Sequence, residues 1–235
     1  RMMGLDGPDY GNPYDAQAAL MELFQYAAQM ANERKKDPQD DLMSVLVHAQ
    51  TDKGELDYME INMMFFLMVI AGNETTRNAL SGGIRALCDF PSERQRLLED
   101  GSLIKTAVEE IVRWTSPVNY MKRVVAEDLE FRGQKLRKGE NLVLFYASAN
   151  RDESVFEDPY TFRIDRDPNP HLAFGIGEHF CLGTHLARQS QRALLREMIG
   201  RIDTLEVAGD PVQIASSFVV GLKRLPIRYR LSAAA

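Results

Sequence analysis

Two cysteines, Cys88 and Cys181, stand in 235 residues. That is too few for a disulfide scaffold, and a reducing, cytoplasmic setting is the simplest expectation. Basic residues are also short, with 28 Lys and Arg against 34 Asp and Glu, a net charge of −6. An overall basic footprint for nucleic acid is therefore missing. Long apolar runs are missing too. The longest, Met63–Gly72, has ten residues, half of the about 20 that span a bilayer, so no transmembrane segment is expected in this chain. No secretory apolar region follows Arg1-Met2-Met3. An opening Arg points to sequence missing upstream, so the lack of a leader carries no weight. Repeats, low-complexity tracts and linkers are likewise not seen. What remains, 45% hydrophobic and 26% charged residues, is ordinary globular composition with enough chain for a substantial core. A single domain over residues 1–235 is expected.

Apolar residues at helical spacing, Leu20, Leu23, Phe24, Ala27, Ala28 and Ala31, predict a helix from about Asp15 to Lys36, stopped at Asp37-Pro38. A short helix over Leu42–Gln50 and a turn at Asp52-Lys53-Gly54 follow. Asp57 and Glu60 have capping-box spacing. They open a long helix over about 57–90, about 50 Å at 1.5 Å per residue. Its first half is apolar all round and is expected to be buried. Helices over 92–99 and 103–114 come next. Short β-type runs at 123–125, 129–131 and 141–145 turn at Gly133 and Gly139. Residues 150–180 read as a long irregular segment, which in a compact domain points to function. A helix from near Cys181 to Arg201 and tail strands at 204–207, 217–222 and 227–231 complete a fold that is mainly α with small peripheral β-sheets.

Three segments carry candidate chemistry. In Phe174-Gly175-Ile176-Gly177-Glu178-His179-Phe180-Cys181-Leu182-Gly183, a Cys stands at the expected start of a helix, behind a glycine loop. Glycines let the backbone approach something large and flat. A helix N-terminus favours the thiolate, which serves as nucleophile, metal ligand or haem ligand. His171, His179, Cys181 and His185 keep a zinc site open, although the usual paired spacings are missing and zinc gives no reason for the glycines. In Ala71-Gly72-Asn73-Glu74-Thr75-Thr76, a carboxylate and a hydroxyl sit mid-helix. Thr75 can bond back to a carbonyl one turn earlier and open the helix, while Gly72 leaves room for a ligand. Solvated surface residues would read the same way. Glu110 and Arg113 share one helix face; taken alone, such a pair is usually a surface ion pair worth under about 1 kcal/mol.

The order and separation of A-G-x-E-T-T, E-x-x-R and F-G-x-G-x-H-x-C-x-G resemble the cytochrome P450 family. The resemblance covers essentially the whole chain, which corresponds to the C-terminal three-fifths or so of a typical member; the fold is then incomplete at the N-terminus, without the distal lid and one propionate-holding helix. It implies haem b (iron protoporphyrin IX) with Cys181 as axial thiolate, Phe174 beside the sulfur, Gly175 as a further cofactor-binding residue, His179 and Arg123 as propionate partners, and Ala71 and Gly72 lining an oxygen groove. It implies Glu74 and Thr75 as the proton-delivery pair, and Glu110, Arg113 and Arg166 as a structural triad supporting the haem loop at about 174–183. The implied activity is monooxygenation of an apolar small molecule with O2 and electrons from a ferredoxin-type donor and its reductase. The runs Ser148–Asp152, Asn169–Gly175 and Cys181–Arg188 look like those of bacterial members. Ala71–Asn78 and Ser217–Pro226 look like the actinobacterial group acting on sterol side chains and branched lipids. A catalytically incomplete haem-binding fragment and a zinc-binding helical domain are the alternatives.

Overall fold

In a computed structural model, residues 13–232 are described. Among these described residues, seven α-helices and ten short strands follow one another: α1 Pro13–Lys36, α2 Leu42–Val47, β1 Gln50–Thr51, β2 Gly54–Glu55, α3 Tyr58–Asp89, α4 Pro91–Glu99, α5 Ile104–Thr115, β3 Tyr120–Val124, β4 Leu129–Phe131, β5 Gln134–Leu136, β6 Asn141–Phe145, α6 Tyr146–Ala149, α7 Thr184–Arg201, β7 Ile202–Val207, β8 Val212–Gln213, β9 Leu222–Arg224 and β10 Ile227–Leu231. The chain divides into two compact units, and the boundary falls between Glu74 and Thr75, inside α3.

The first unit holds α1, α2, the β1–β2 hairpin and the beginning of α3. Asp41 caps α2 by accepting from the Ser44 amide at 2.8 Å. The capping box at the start of α3 is reciprocal: Glu60 N–H donates to Asp57 Oδ1 at 2.8 Å, and Asp57 N–H to Glu60 Oε2 at 2.9 Å. Ala27, Ala31, Met43, Val47 and Ile61 form its core. Met59, Met63, Leu67 and Val69 on α3 stay exposed, Met63 at 49% and Leu67 at 55%. This corrects the expectation of a buried first half. A helix apolar on every side gives no direction for burial, and in this chain only part of its circumference is covered.

In the second unit, α5 shows why its sequence makes an amphipathic helix. Ile104, Ala107, Val108 and Ile111 recur at helical spacing and are all buried. They pack with Ala86 and Leu87 of α3, Leu97 of α4, Leu195 of α7, and Phe162 and Ile164 of the irregular segment. Gly82 and Gly83 allow a close approach: a Cβ on Gly83 would lie 2.8 Å from Ile111 Cγ2. Ser116 in left-handed geometry (φ 38°) ends α5, and Pro117 follows.

The strands form two-stranded antiparallel pairs: β1–β2, β3–β6, β4–β5, β7–β10 and β8–β9. The β4–β5 turn carries positive φ at both Arg132 and Gly133, the geometry a tight hairpin requires. Strand β5 escapes the sequence pattern because Gln134-Lys135-Leu136 does not alternate. The strand expected at 217–222 instead begins only at Leu222, the first residue of β9; residues 217–218 bend, and the stretch before Leu222 borrows partners from 117–119. Val220 N–H donates to Pro117 O and Asn119 N–H to Phe218 O, both at 2.9 Å, and only the Val118–Val219 bridge is β-like. Helix α7 begins at Thr184, so Cys181 precedes the helix rather than occupying its first turn.

Candidate active site

The irregular segment is held by one buried ion cluster. Glu110 and Arg113 have no exposed side-chain surface, and Arg166 has 5%. Both oxygens of Glu110 accept from Arg113, through Nε and Nη2 at 2.7 Å each. Arg166 Nε and Asn169 Nδ2 each donate to Glu110 Oε2 at 3.2 Å, and the Arg163 amide donates to Oε1 at 2.9 Å. The remaining guanidinium donors run to carbonyls. Arg113 Nη1 reaches Asn150 O at 2.8 Å and Pro159 O at 2.9 Å; Arg166 reaches Glu157 O at 2.6 Å and Thr161 O at 3.0 Å. A pair that spacing alone reads as a surface contact thus lies in the interior. A buried charge is tolerated there because nearly every donor is matched. The structure brings Glu110, Arg113 and Arg166 together.

Asn150 extends this cluster towards the cysteine. It is fully buried. Its Nδ2 donates to Ser116 Oγ at 2.8 Å, and its Oδ1 accepts the Leu172 amide at 2.7 Å. The loop then turns on itself. Gly175 N–H donates to Leu172 O, Phe180 N–H to Gly177 O, and Cys181 N–H to Phe174 O, each at 2.9 Å. Gly175 (φ 71°) and Gly177 (φ 74°) occupy the left-handed region that glycine adopts without strain. A Cβ on Gly175 would also sit 3.3 Å from the Tyr146 hydroxyl. Cys181 is half-buried, while its neighbours Ile176, Phe180 and Leu182 are exposed, Leu182 at 82%. His179 is exposed at the end of a 3₁₀ turn. Arg123 is half-buried on β3, where its Nη1 donates to Lys122 O at 3.0 Å.

Ala71, Gly72, Glu74 and Thr75 lie along little more than one turn of α3. Ala71 and Gly72 are exposed; Glu74 and Thr75 are half-buried. Of the two readings that the sequence leaves open, the segment thus lies partly at the helix surface. A Cβ on Gly72 would meet nothing within 4 Å, so its missing side chain leaves open space rather than fitting protein packing.

A second acid beside the cluster is not singled out by the sequence. Glu109 accepts from Arg188 Nε at 2.7 Å and Nη2 at 2.8 Å, and faces His171 Nε2 at 3.1 Å. Burial pushes its carboxyl up, but hydrogen bonds from His171 and Arg188 outweigh this and bring it down to about 2. His171, a zinc candidate by sequence, is thus turned towards a carboxylate. Among the described residues no three His, Cys, Asp or Glu come together as a metal site, and the zinc reading is dropped. Asn150, Asn169 and Arg188 lie in runs that resemble bacterial members, which gives them no role by itself, and Glu109 carries no signal beyond its neighbour Glu110.

The cytochrome P450 family model matches residues 14–231. This chain belongs to the cytochrome P450 family. It is 43% identical over 231 residues to the methyl-branched lipid omega-hydroxylase of Mycobacterium tuberculosis, covering 97% of this chain and 54% of that protein. To the steroid C26-monooxygenase of Rhodococcus jostii it is 40% identical, covering 98% and 48%. The chain therefore spans about half the length of these curated relatives. Substrate-free CYP109E1 of Bacillus megaterium superposes with a TM-score of 0.89 at 37% identity, covering 97% of this chain and 62% of that one. A Mycobacterium marinum cytochrome P450 in complex with pseudoionone gives 0.84 at 45%, covering 88% and 50%. The P450 fold, mainly α with small sheets, is thus established, and the family implies haem b as cofactor. The donor set of this chain fits that group. A soft sulfur lies in a glycine-shaped loop whose apolar side chains are exposed, as a flat apolar ring requires, and Arg123 and His179 supply groups suited to carboxylates.

Proposed function

We propose that the protein containing this chain is a haem-thiolate monooxygenase that inserts one atom of O2 into a C–H bond of an apolar substrate, a sterol side chain or a methyl-branched lipid. The observation that carries this reading is the Cys181 loop, closed by the bond from Cys181 N–H to Phe174 O and shaped by two glycines of positive φ. When haem is bound, Cys181 would ligate the iron, Phe174 would pack beside the sulfur, Gly175 would let the loop backbone approach the group, and Arg123 and His179 would hold the propionates. Haem, when bound, supplies the activation of dioxygen. Ala71 and Gly72 leave space on α3 for a ligand, and the Glu74 carboxylate and Thr75 hydroxyl hold and pass protons there. Glu110, Arg113 and Arg166 fix the segment on which the loop stands. The substrate class rests on the activities for which the relatives at 43% and 40% identity are named. Electrons come from a ferredoxin-type donor with its reductase, and the setting is cytoplasmic. Among the described residues no helix is long and apolar enough to cross a membrane.

The test is turnover of the full-length protein with a ferredoxin, its reductase and isotopically labelled dioxygen, on a sterol and on a methyl-branched fatty acid. One labelled oxygen atom in a hydroxylated product is expected from at least one of them. Haem-loaded protein that accepts electrons and forms no labelled product from either would overturn the reading.

A further inference from the structure

Glu109 and Glu110 are neighbours on α5, yet their carboxylates serve different partners. Glu110 anchors the irregular segment. Glu109 faces away from that cluster and receives the fork of Arg188, Nε at 2.7 Å and Nη2 at 2.8 Å. The remaining nitrogen of Arg188, Nη1, donates to Thr184 Oγ1 in the first turn of α7. Its guanidinium carbon stands 4.6 Å from the centroid of the Phe174 ring. The His171 ring, 5.7 Å from the same ring, is the other partner of Glu109. Three elements thus converge on one aromatic side chain: α5, the loop around 171–174, and α7.

We propose that Glu109 and Arg188 are positioning residues for the Cys181 loop. Glu109 sets the plane of the guanidinium, the guanidinium holds the face of Phe174, and the Phe174 carbonyl holds the Cys181 amide at 2.9 Å. The inference rests on the reading of Cys181 as the haem ligand and adds what fixes the ring beside it. An arginine is needed because its planar fork can meet both carboxylate oxygens while its face lies on a ring; a lysine is a point charge with neither property. Arg188 is about a quarter exposed. Without Glu109 its long side chain is free to turn to water, and the contact with Phe174 loses its fixed geometry. A partly desolvated cation–ring contact is strong enough to alter how firmly the ring is held and too weak to unfold the domain when lost.

A double-mutant cycle on the haem-loaded full-length protein tests this, using Arg188→Lys, Phe174→Leu and the two combined. The readout is the rate at which the thiolate-type band of the reduced, CO-bound protein is lost. Exchange of the Cys181 amide is followed alongside. Arg188→Lys is expected to speed loss of the band about tenfold and to accelerate amide exchange at Cys181. In the Phe174→Leu background the same substitution should add nothing, because the ring it acts through is gone. Glu109→Gln should reproduce Arg188→Lys, and it replaces that variant in the cycle if Arg188→Lys does not fold. Equal factors in both backgrounds, or no change in rate, overturn the clamp while leaving the Cys181 assignment standing. A wild-type protein that binds haem without any thiolate-type band overturns the assignment and the clamp together.

Discussion

Replacing Glu110 by Gln keeps the shape of the side chain and removes the one carboxylate that two buried guanidinium groups share. Five donors converge on it: Nε and Nη2 of Arg113, Nε of Arg166, Nδ2 of Asn169 and the Arg163 amide. A glutamine offers one acceptor oxygen and turns an NH2 group towards donors. Arg113, fully buried, and Arg166, 5% exposed, then lie close together without a counter-charge. Leaving such a charge unpaired costs about 3–5 kcal/mol, a large share of the about 5–15 kcal/mol by which a domain is stable. Urea unfolding of the haem-loaded full-length protein measures this. Glu206→Gln serves as control, since Glu206 and Arg228 pair at 2.7 Å on the surface and should cost under about 1 kcal/mol. The expected outcome is a Glu110→Gln loss several times that of the control. Equal losses would refute the claim that the cluster holds the segment by buried charge.

Other outcomes follow from the same geometry. Glu109 has its pKa brought down from 4.5 to about 2 by His171 and Arg188 against the effect of burial, so its stabilisation is complete above about pH 4.5 and is lost as pH falls towards 2. Unscreened, such a shift is worth about 3 kcal/mol; partial exposure reduces it to about 1–2 kcal/mol. The stability gap between wild type and Glu109→Gln should therefore be flat at neutral pH and narrow in acid, as followed by unfolding at a series of pH values. Gly83→Ala should destabilise by about 1–3 kcal/mol through overpacking on Ile111, against about 1 kcal/mol gained in helix propensity; thermal unfolding in which the variant is more stable would contradict the close α3–α5 approach. Thr75→Ala in the full-length enzyme should keep consuming reductant while product per electron falls and peroxide rises; unchanged coupling removes Thr75 from proton delivery.

Much of the helical frame was legible because its signals are local. The Asp57–Glu60 box, Pro91 and Pro117 mark boundaries that the chain obeys within a residue or two. A motif that repeats a family pattern marks Glu110 and Arg113, and the structure joins both to Arg166. Their surroundings were not legible. Spacing puts Glu110 and Arg113 on one face, but burial is conferred by carbonyls of residues 150–161, far along the chain. The start of α7 was misplaced because the loop continues to Gly183, whose backbone occupies the cap position. The exposure of Met63 and Leu67 is not carried by the pattern of the helix itself; only the family resemblance, which leaves the distal lid out of this chain, points to it. Hydrophobicity says that a face can be buried, and only tertiary structure says whether anything covers it.

The most direct test of the central claim is the reduced, CO-bound spectrum of the full-length protein with each cysteine replaced in turn. Cys181→Ser puts a harder, weaker donor in the loop and should abolish the thiolate-type band. Cys88 is half-buried near the end of α3, where burial raises its thiol pKa; Cys88→Ser should lower stability and leave the band in place. A thiolate-type band that survives Cys181→Ser, or one that disappears from folded Cys88→Ser protein, would contradict the account.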